Sequence, residues 1–337
     1  MKFSCIIPTY NCGKYIERVA EQLTSCAPDM LEVIVVDDGS TDNTKELLNK
    51  YTQKNFKYVL LENSGVSIAR NTGIEVATGD YLIFFDADDE INIDDLNEAL
   101  RFIMCDTNKS DIYMTGYQIL CRSETKKVDV PYPKGYYTRE VLEKLRYRLI
   151  DVKIAKHYAA KYIGGKVYQY FVKKEIFEKG LKFQKNIHFA EDLCYCMQMF
   201  YLASDITFLN LYPYRYNVIE GSASHRYRQN LWEEWVEVYK FVENYLQGEE
   251  QLNKLVYWAG KNSIRHYTMF QTYKNRKTEI KKIVNSELFE TAIQDIRYSD
   301  WTLNERIENF LIRKKWCLIL YLFEKMIIVV KNMDGNK

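Results

Sequence analysis

A chain of 337 residues with 47% hydrophobic residues is long enough for one large domain or two modest ones, and this composition excludes a disordered protein. The formal net charge of +1 gives no overall attraction to nucleic acid, so no nucleic acid polymer is expected as a partner. The eight cysteines follow neither a disulfide nor a zinc spacing and no export signal is recognised, so we expect a cytoplasmic protein with reduced thiols.

Four apolar runs alternate with amphipathic segments over the first hundred residues. Almost continuously apolar runs are typical of strands buried on both faces of a sheet. Their alternation with helical segments predicts an α/β domain whose parallel strands are joined by right-handed crossovers. We expect strands at residues 3–7, 31–36, 58–61 and 81–85, and helices at residues 14–25, from 41–43 to 51, and from 65 to 76.

Each of these runs ends in a polar cluster. The clusters begin at Pro8, Asp37, Glu62 and Asp86. In an open parallel sheet the ligand crevice lies beyond the carboxyl ends of the strands, so we expect the four clusters to converge on one rim.

The remainder of the chain changes character in two steps. Strand-like pieces at residues 112–117, 167–172 and 212–216 continue the first domain less regularly, and the pattern becomes mostly helical after Gln229. We therefore predict an α/β domain over residues 1–220 and a helical C-terminal region over residues 221–337.

The segment Asp86-Ala87-Asp88 places two acidic side chains directly after a buried strand. Carboxylate oxygens are hard ligands that suit Mg²⁺ or Mn²⁺, and such an ion could neutralise a departing diphosphate. The alternative is that these acids only form a solvated turn or a helix cap. Asp37 and Asp38 likewise either form a turn or accept hydrogen bonds from a ribose or base, and Arg70 either serves the nucleotide or pairs with the acidic rim.

The motifs at residues 8–11, 35–42, 69–73 and 86–89 occur together in an order and spacing that resemble glycosyltransferase family 2. The resemblance implies the GT-A fold, a Rossmann-like and mainly parallel sheet flanked by helices. It also implies an inverting transferase that moves a sugar from a nucleoside-diphosphate sugar, with UDP favoured. The acceptor would be a saccharide or lipid-linked saccharide in bacterial cell-surface polysaccharide synthesis, such as capsule.

The resemblance also assigns roles to residues of this chain. Asp88 would hold Mn²⁺ or Mg²⁺. Asp192 would be the general base that deprotonates the acceptor hydroxyl, with Glu191 as its supporting neighbour, although acidic residues also suit the N-terminus of a helix. The residues expected around the nucleotide are Pro8, Thr9, Tyr10, Asp37, Asp38, Asn63, Arg70 and Asp86.

Two basic segments remain open to alternatives. His225, Arg226 and Arg228 either form a cationic lid over the diphosphate or lie in an exposed turn. Residues 316–330 are apolar but too short, and too interrupted by Glu324, for a membrane span, and cations flank them. This helix either contacts the inner face of the plasma membrane peripherally or packs against the protein or a homodimer partner.

Two other classes of protein compete with this interpretation. A nucleotidyltransferase would carry a glycine-rich basic loop near the first strand, and residues 8–14 contain none. A non-catalytic nucleotide-binding scaffold of an assembly complex would lose the base or the metal acid. Asp88 and Asp192 are both present, so we favour the enzyme.

Overall fold

The structure is a computed structural model that describes residues 1–27, 29–121, 124–150, 165–218, 227–270, 273–296 and 302–334. The chain divides near residue 220 into two compact units. The first unit is built on a sheet and the second is helical. This architecture confirms the predicted α/β fold with a helical C-terminal region.

A ten-stranded sheet forms the centre of the first unit, as far as the structure describes it. Its strands in chain order are β1 (Phe3–Thr9), β2 (Leu31–Asp37), β3 (Phe56–Leu60), β4 (Tyr81–Phe84), β5 (Glu90–Ile91), β6 (Ile112–Leu120), β7 (Thr125–Val128), β8 (Gly135–Thr138), β9 (Tyr170–Lys173) and β10 (Asp205–Asn217). Its helices are α1 (Gly13–Ser25), α2 (Thr44–Leu48), α3 (Val66–Val76), α4 (Ile93–Cys105), α5 (Arg139–Ile150), α6 (Lys174–Glu178) and α7 (Glu191–Leu202).

The sheet is parallel in its first half and mixed in its second. Its order is β3-β2-β1-β4-β9-β6-β10-β5, with β7 added to β6 and β8 added to β10. Strands β1 to β4 are mutually parallel, and Ile6 of β1 lies between Ile34 of β2 and Phe84 of β4. These three side chains are at most 1% exposed, which explains why the strands are continuously apolar in sequence. The predicted parallel arrangement is therefore confirmed for β1 to β4. The described sheet as a whole is mixed rather than mainly parallel, because β5, β7, β8 and β9 pair antiparallel with their neighbours.

Helix α3 lies unusually close to the sheet. A Cβ atom on Gly73 would approach Ile6 Cγ2 to 2.3 Å, so a larger residue cannot occupy this position without a shift. Ala69 on the same helix is fully buried. Small residues on this face let the helix approach β1, and this approach places Arg70 beside the carboxyl ends of β1 and β4.

Several element boundaries differ from the sequence prediction, among them β3, which covers Phe56–Leu60 instead of residues 58–61, and β6, which extends to Leu120. Helix α2 ends at Leu48 rather than near residue 51. Residues 167–169 form a 3₁₀ turn, so β9 begins only at Tyr170. The predicted strand at residues 212–216 is the end of the longer β10, whose pairing with β6 shifts register between Leu209 and Tyr214. Pro213 lies in this interval and cannot donate a ladder hydrogen bond.

The second unit consists of helices in its described part. They are α8 (Leu231–Val242), α9 (Glu249–Phe270), α10 (Tyr273–Val284), α11 (Glu287–Asp295), α12 (Leu303–Arg313) and α13 (Cys317–Asp334). Glu324, which interrupts the apolar run of α13, is fully buried and accepts a 2.8 Å hydrogen bond from Arg265 on α9. Among the helices described, none is both long enough and apolar enough to cross a membrane.

Candidate active site

The acidic loop after β4 is held in place by the end of β10. Asp89 is 3% exposed and accepts hydrogen bonds from the Tyr214 hydroxyl and, at 2.7 Å, from the backbone amide of Asn217. The Asn217 side chain in turn donates to the backbone carbonyl of Asp88 at 3.1 Å. Burial, together with the nearby Asp86 and Asp88 charges, raises the pKa of Asp89 to about 7. Asp89 therefore fixes the shape of the loop, a role that the sequence analysis did not assign.

Asp88 is the acid of this loop that is available to a cation. Within the described residues its carboxylate makes no ion pair or hydrogen bond to another side chain. Its pKa is raised by burial and by the negative charge of Asp86. A divalent cation would relieve the cost of ionising such a carboxylate, so the site fits Mg²⁺ or Mn²⁺.

The described residues contain no cluster of three or more metal-binding side chains. Mg²⁺ is commonly bound by one or two carboxylates together with substrate phosphates and water. Asp88 is therefore sufficient as the main protein ligand only if a phosphate-bearing substrate completes the coordination.

Arg70 connects this acidic loop with the predicted base. It lies on α3 with 3% exposure, and its guanidinium contacts three carboxylates. The distances are 3.2 Å from Nη2 to Asp86 Oδ1, 2.7 Å from Nη1 to Asp192 Oδ1 and 3.2 Å from Nη1 to Glu191 Oε1. These negative charges outweigh the effect of burial and raise the pKa of Arg70 further, so it stays charged. The alternative in which Arg70 pairs with the acidic rim is thus present in the structure.

Glu191 and Asp192 form the first turn of α7. The residue before them, Ala190, has a left-handed backbone with φ of 55°, which turns the chain sharply into the helix. Gly165 packs against the same turn, because a Cβ atom there would lie 2.4 Å from Leu193 Cα. The start of α7 is consequently fixed by its packing against Gly165 and by the contacts of Glu191 and Asp192 with Arg70.

The ionisation of Asp192 is unusual for a carboxylate beside an arginine. Burial raises its pKa to about 7, the Arg70 charge opposes this rise, and the Glu191 and Asp86 charges add to it. The Asp192 pKa rises in spite of Arg70 because one guanidinium cannot neutralise three carboxylates. A group that titrates close to neutral pH suits general base catalysis.

Lys166 lies in an aromatic cage next to these acids. Its ammonium is 5.4 Å from the ring centre of Tyr117, 5.6 Å from that of Tyr168 and 5.3 Å from that of Tyr216. Burial lowers its pKa, and the charges of Asp192, Asp86 and Asp89 oppose that effect. No motif in the sequence pointed to Lys166. A lone lysine before the apolar run at residues 167–172 was its only signal in the sequence.

The residues predicted around the nucleotide lie at the adjacent carboxyl ends of β1, β2 and β3. Thr9 is buried and pairs with Asp37 across β1 and β2, and Pro8 precedes it in the same strand. Tyr10, which follows β1, is 47% exposed. Asn63 is also exposed, in the loop after β3. The structure therefore brings these residues together at one rim, as predicted, and their contacts with a nucleotide stay a prediction.

Asp37 and Asp38 already have several protein partners. Asp37 accepts hydrogen bonds from the backbone amide of Ser40 at 2.9 Å and from the hydroxyl of Tyr58 at 2.8 Å. Asp38 accepts from the backbone amides of Ser64 at 2.7 Å and Gly65 at 2.8 Å. The two carboxylates thus organise the loops after β2 and β3, and any hydrogen bond to a nucleotide would use their remaining lone pairs.

Only one of the three predicted lid residues belongs to the described part of the chain. His225 and Arg226 are outside the described residues. Arg228 lies in the helical unit, where its guanidinium is 3.4 Å from Glu234 Oε2 and its backbone amide donates to His266 Nε2 at 2.8 Å. The lid function of all three residues stays a prediction.

Comparison with known proteins places this site in context. A family model described as glycosyl transferase family 2 matches residues 4–177. The uncharacterized glycosyltransferase YibD of Escherichia coli K12 is 48% identical over 93 residues, which are 27% of this chain and 27% of that protein. Glycosyltransferase GlyA of Streptococcus pneumoniae is 28% identical over 230 residues, which are 66% of this chain and 31% of that protein. The matches span less than a third of either relative's length.

A solved structure has the same fold over almost the whole chain. Residues 1–349 of Staphylococcus aureus TarS, crystallised in complex with UDP, superpose with a TM-score of 0.68 at 20% identity. The match covers 96% of this chain and 90% of that chain. The helical unit as well as the sheet is therefore shared in fold with a known structure.

Proposed function

The chain belongs to glycosyl transferase family 2, and we propose that it transfers a sugar from a UDP-sugar to a saccharide or lipid-linked saccharide with inversion. Membership of the family makes it a glycosyltransferase. The process that we propose is cell-surface polysaccharide synthesis. The reaction would take place in the cytoplasm at the inner face of the plasma membrane, with a peripheral contact through α13. A homodimer contact through the same helix is the alternative.

One observation carries this proposal. Arg70 holds Asp86, from the predicted donor-binding loop, and Asp192, the predicted base, within 3.2 Å of the same guanidinium. The two acids are far apart in sequence and arise from different elements. An inverting transfer needs a base on the acceptor side and a stabilised leaving group on the donor side of one cavity. The arrangement around Arg70 brings groups suited to both tasks together.

The proposed step is a single displacement. The Asp192 carboxylate takes the proton of the acceptor hydroxyl while the acceptor oxygen bonds to the anomeric carbon and the bond from that carbon to the diphosphate breaks. Glu191 shares the Arg70 contact and helps to keep the Asp192 side chain oriented. Mn²⁺ or Mg²⁺ held by Asp88 would neutralise charge on the departing UDP.

The choice of a uridine nucleotide rests on similarity. TarS has been solved in complex with UDP and with UDP-GlcNAc, and its fold matches this chain. A curated TarS is named a poly(ribitol-phosphate) beta-N-acetylglucosaminyltransferase and is 40% identical to this chain over 119 residues. These facts support a UDP-sugar donor and a cell-surface polymer acceptor for this chain.

Calorimetric titration of UDP, GDP and TDP into the purified protein, first with Mn²⁺ and then with EDTA, tests the proposal. We expect UDP to bind tightly only with the metal, and we expect UDP release from a matching UDP-sugar. Asp88→Asn should weaken metal-dependent binding, whereas exposed Asp94→Asn on α4 serves as a control and should not. Failure of all three nucleotides to bind to folded protein would refute the proposal. Metal-dependent binding with no turnover of any UDP-sugar would favour the non-catalytic scaffold instead.

A further inference from the structure

Helices α12 and α13 expose a continuous apolar surface. Leu318, Leu322, Met326 and Val329 follow one another at helical spacing on one face of α13, and each is between 50% and 56% exposed. The surface continues onto the preceding helix, since the rings of Phe310 and Trp316, each 50% exposed, meet edge to face at 5.8 Å. We refer to these six residues as the C-terminal apolar surface. Side chains of this kind that lie exposed together commonly mark a contact site.

The opposite face of α13 packs against the other helices of its unit. Leu320 and Glu324 are fully buried, and Cys317 is 6% exposed. Arg265 on α9 binds Glu324 with Nε to Oε2 at 2.8 Å. The helix is therefore fixed to its own unit through one face, and the apolar residues on the other face have no role in that packing.

Cations outnumber acids around this surface. Residues 305–334 contain six lysine or arginine residues and four acids, which are Glu305, Glu308, Glu324 and Asp334. Glu308 and Glu324 are buried and paired within the helical unit, Glu308 with Lys261 at 2.6 Å and Glu324 with Arg265, and Lys315 contacts Glu290 on α11. Lys314 is exposed at the edge of the surface, 6.0 Å from the ring centre of Phe310. The segment thus presents apolar side chains outward together with the exposed cations Arg313 and Lys314, and two of its acids are buried.

We propose that the C-terminal apolar surface docks on an anionic lipid bilayer, with α13 lying in the plane of the interface. Apolar side chains would enter the acyl boundary while the surrounding cations meet the lipid headgroups.

A second copy of this chain fits the surface less well than a lipid bilayer. A two-fold contact would bring the exposed cations Arg313 and Lys314 of both copies together, whereas anionic headgroups would meet them with the opposite charge. The inference deepens the proposed function. It rests on that function only for the reason why docking would be useful, because an enzyme docked in this way would meet lipid-linked acceptors at the membrane.

Co-sedimentation of the full chain with vesicles tests the docking surface directly. We expect binding to phosphatidylglycerol vesicles, little binding to phosphatidylcholine vesicles, and weaker binding at high salt. Leu322→Gln combined with Met326→Gln should weaken partitioning about tenfold, because two apolar side chains leave the acyl boundary. Met104→Gln, at a 38% exposed methionine on α4, is the matched control and should bind as wild type.

A second pair of variants tests the electrostatic contribution to vesicle binding. Lys314→Glu should weaken binding to the anionic vesicles about 30-fold, because the reversal changes the charge next to the lipid surface by two units. Lys54→Glu, an exposed lysine of the first unit, should have little effect. Circular dichroism of each variant establishes that it is folded.

Three results would overturn the inference. They are equal binding to both vesicle types, loss of binding by the control variants, and a stable dimer by light scattering that the double glutamine variant dissociates. UDP titration of the same samples separates the two proposals. A protein that binds UDP but no vesicles would contradict only the docking surface, and one that binds vesicles but no nucleotide would contradict only the proposed reaction.

Discussion

Replacement of Arg70 by methionine would test the central feature of the site. The substitution keeps most of the side-chain volume and removes the cation that contacts Asp86, Glu191 and Asp192. The pKa of Asp192 is already raised by burial, and Arg70 is the largest influence that opposes the rise. Without Arg70 the pKa of Asp192 must therefore rise further. An opposite charge at this distance commonly changes a carboxyl pKa by about 1 to 3 units.

The consequence appears in the pH dependence of the rate. A general base works only when it is deprotonated, so kcat/KM of the wild type should fall as the pH drops below about 7, the value to which the Asp192 pKa is raised. In Arg70→Met the midpoint of this fall should move to higher pH by about 1 to 3 units. At pH 7, where half of the wild-type base is deprotonated, the loss would then be about 5- to 500-fold from protonation alone. Activity should recover partly at high pH.

The assay is UDP release from the donor, followed from pH 5.5 to 9.5. Arg70→Lys keeps one positive charge and should give a smaller displacement of the midpoint. Lys144→Met removes an exposed ion pair with Glu140 on α5 and serves as the control, with an unchanged profile. An Arg70→Met enzyme that is folded and as active as wild type at pH 6 would refute the reasoning. So would a uniform loss of rate with the midpoint unmoved, because it would show that Arg70 does not control the ionisation of the base.

Three further substitutions give separate readouts. Asp192→Asn should reduce turnover by about 10²- to 10⁴-fold with UDP affinity unchanged by calorimetry, and wild-type turnover would exclude Asp192 as the base. Asp88→Asn should remove most of the difference between UDP affinity with Mn²⁺ and with EDTA, and an unchanged difference would exclude Asp88 as the metal ligand. Lys166→Met should raise the apparent pKa of the base in kcat/KM, because a cation near Asp192 is lost, while Lys166→Arg should not. An unmoved midpoint in Lys166→Met would show that the caged lysine has no electrostatic effect on Asp192.

The sequence was sufficient for the framework of the first unit because each local signal agreed with the fold. Strands β1 to β4 are buried on both faces, so their apolar runs were unambiguous, and the polar residues after them had to meet at one rim. The end of β10 was harder to predict. Its register shift around Pro213 depends on pairing with β6, a contact between strands that are distant in the chain and that no local pattern reports.

The same distinction explains what was missed in the site. Asp89 reads as one more acid of a turn, and only the packing of Tyr214 and Asn217 against it reveals its structural role. Lys166 resembles any polar residue before a strand until three tyrosines from separate elements surround it. Both residues acquire their roles from contacts between distant segments, and periodicity carries no information on such contacts.

Arg70 shows how one buried cation can link two tasks that the sequence presents separately. Its motif at residues 69–73 suggested a nucleotide contact, whereas its guanidinium contacts both Asp86, predicted to lie on the donor side, and Asp192, the predicted base. A buried charge that binds several acids is costly to lose, because removal leaves uncompensated carboxylates rather than a simple cavity. Any movement of Asp86 on donor binding would change how strongly the Arg70 charge lowers the pKa of Asp192. If Asp192 is the base, as proposed, the same guanidinium would thereby adjust its basicity when the donor is in place.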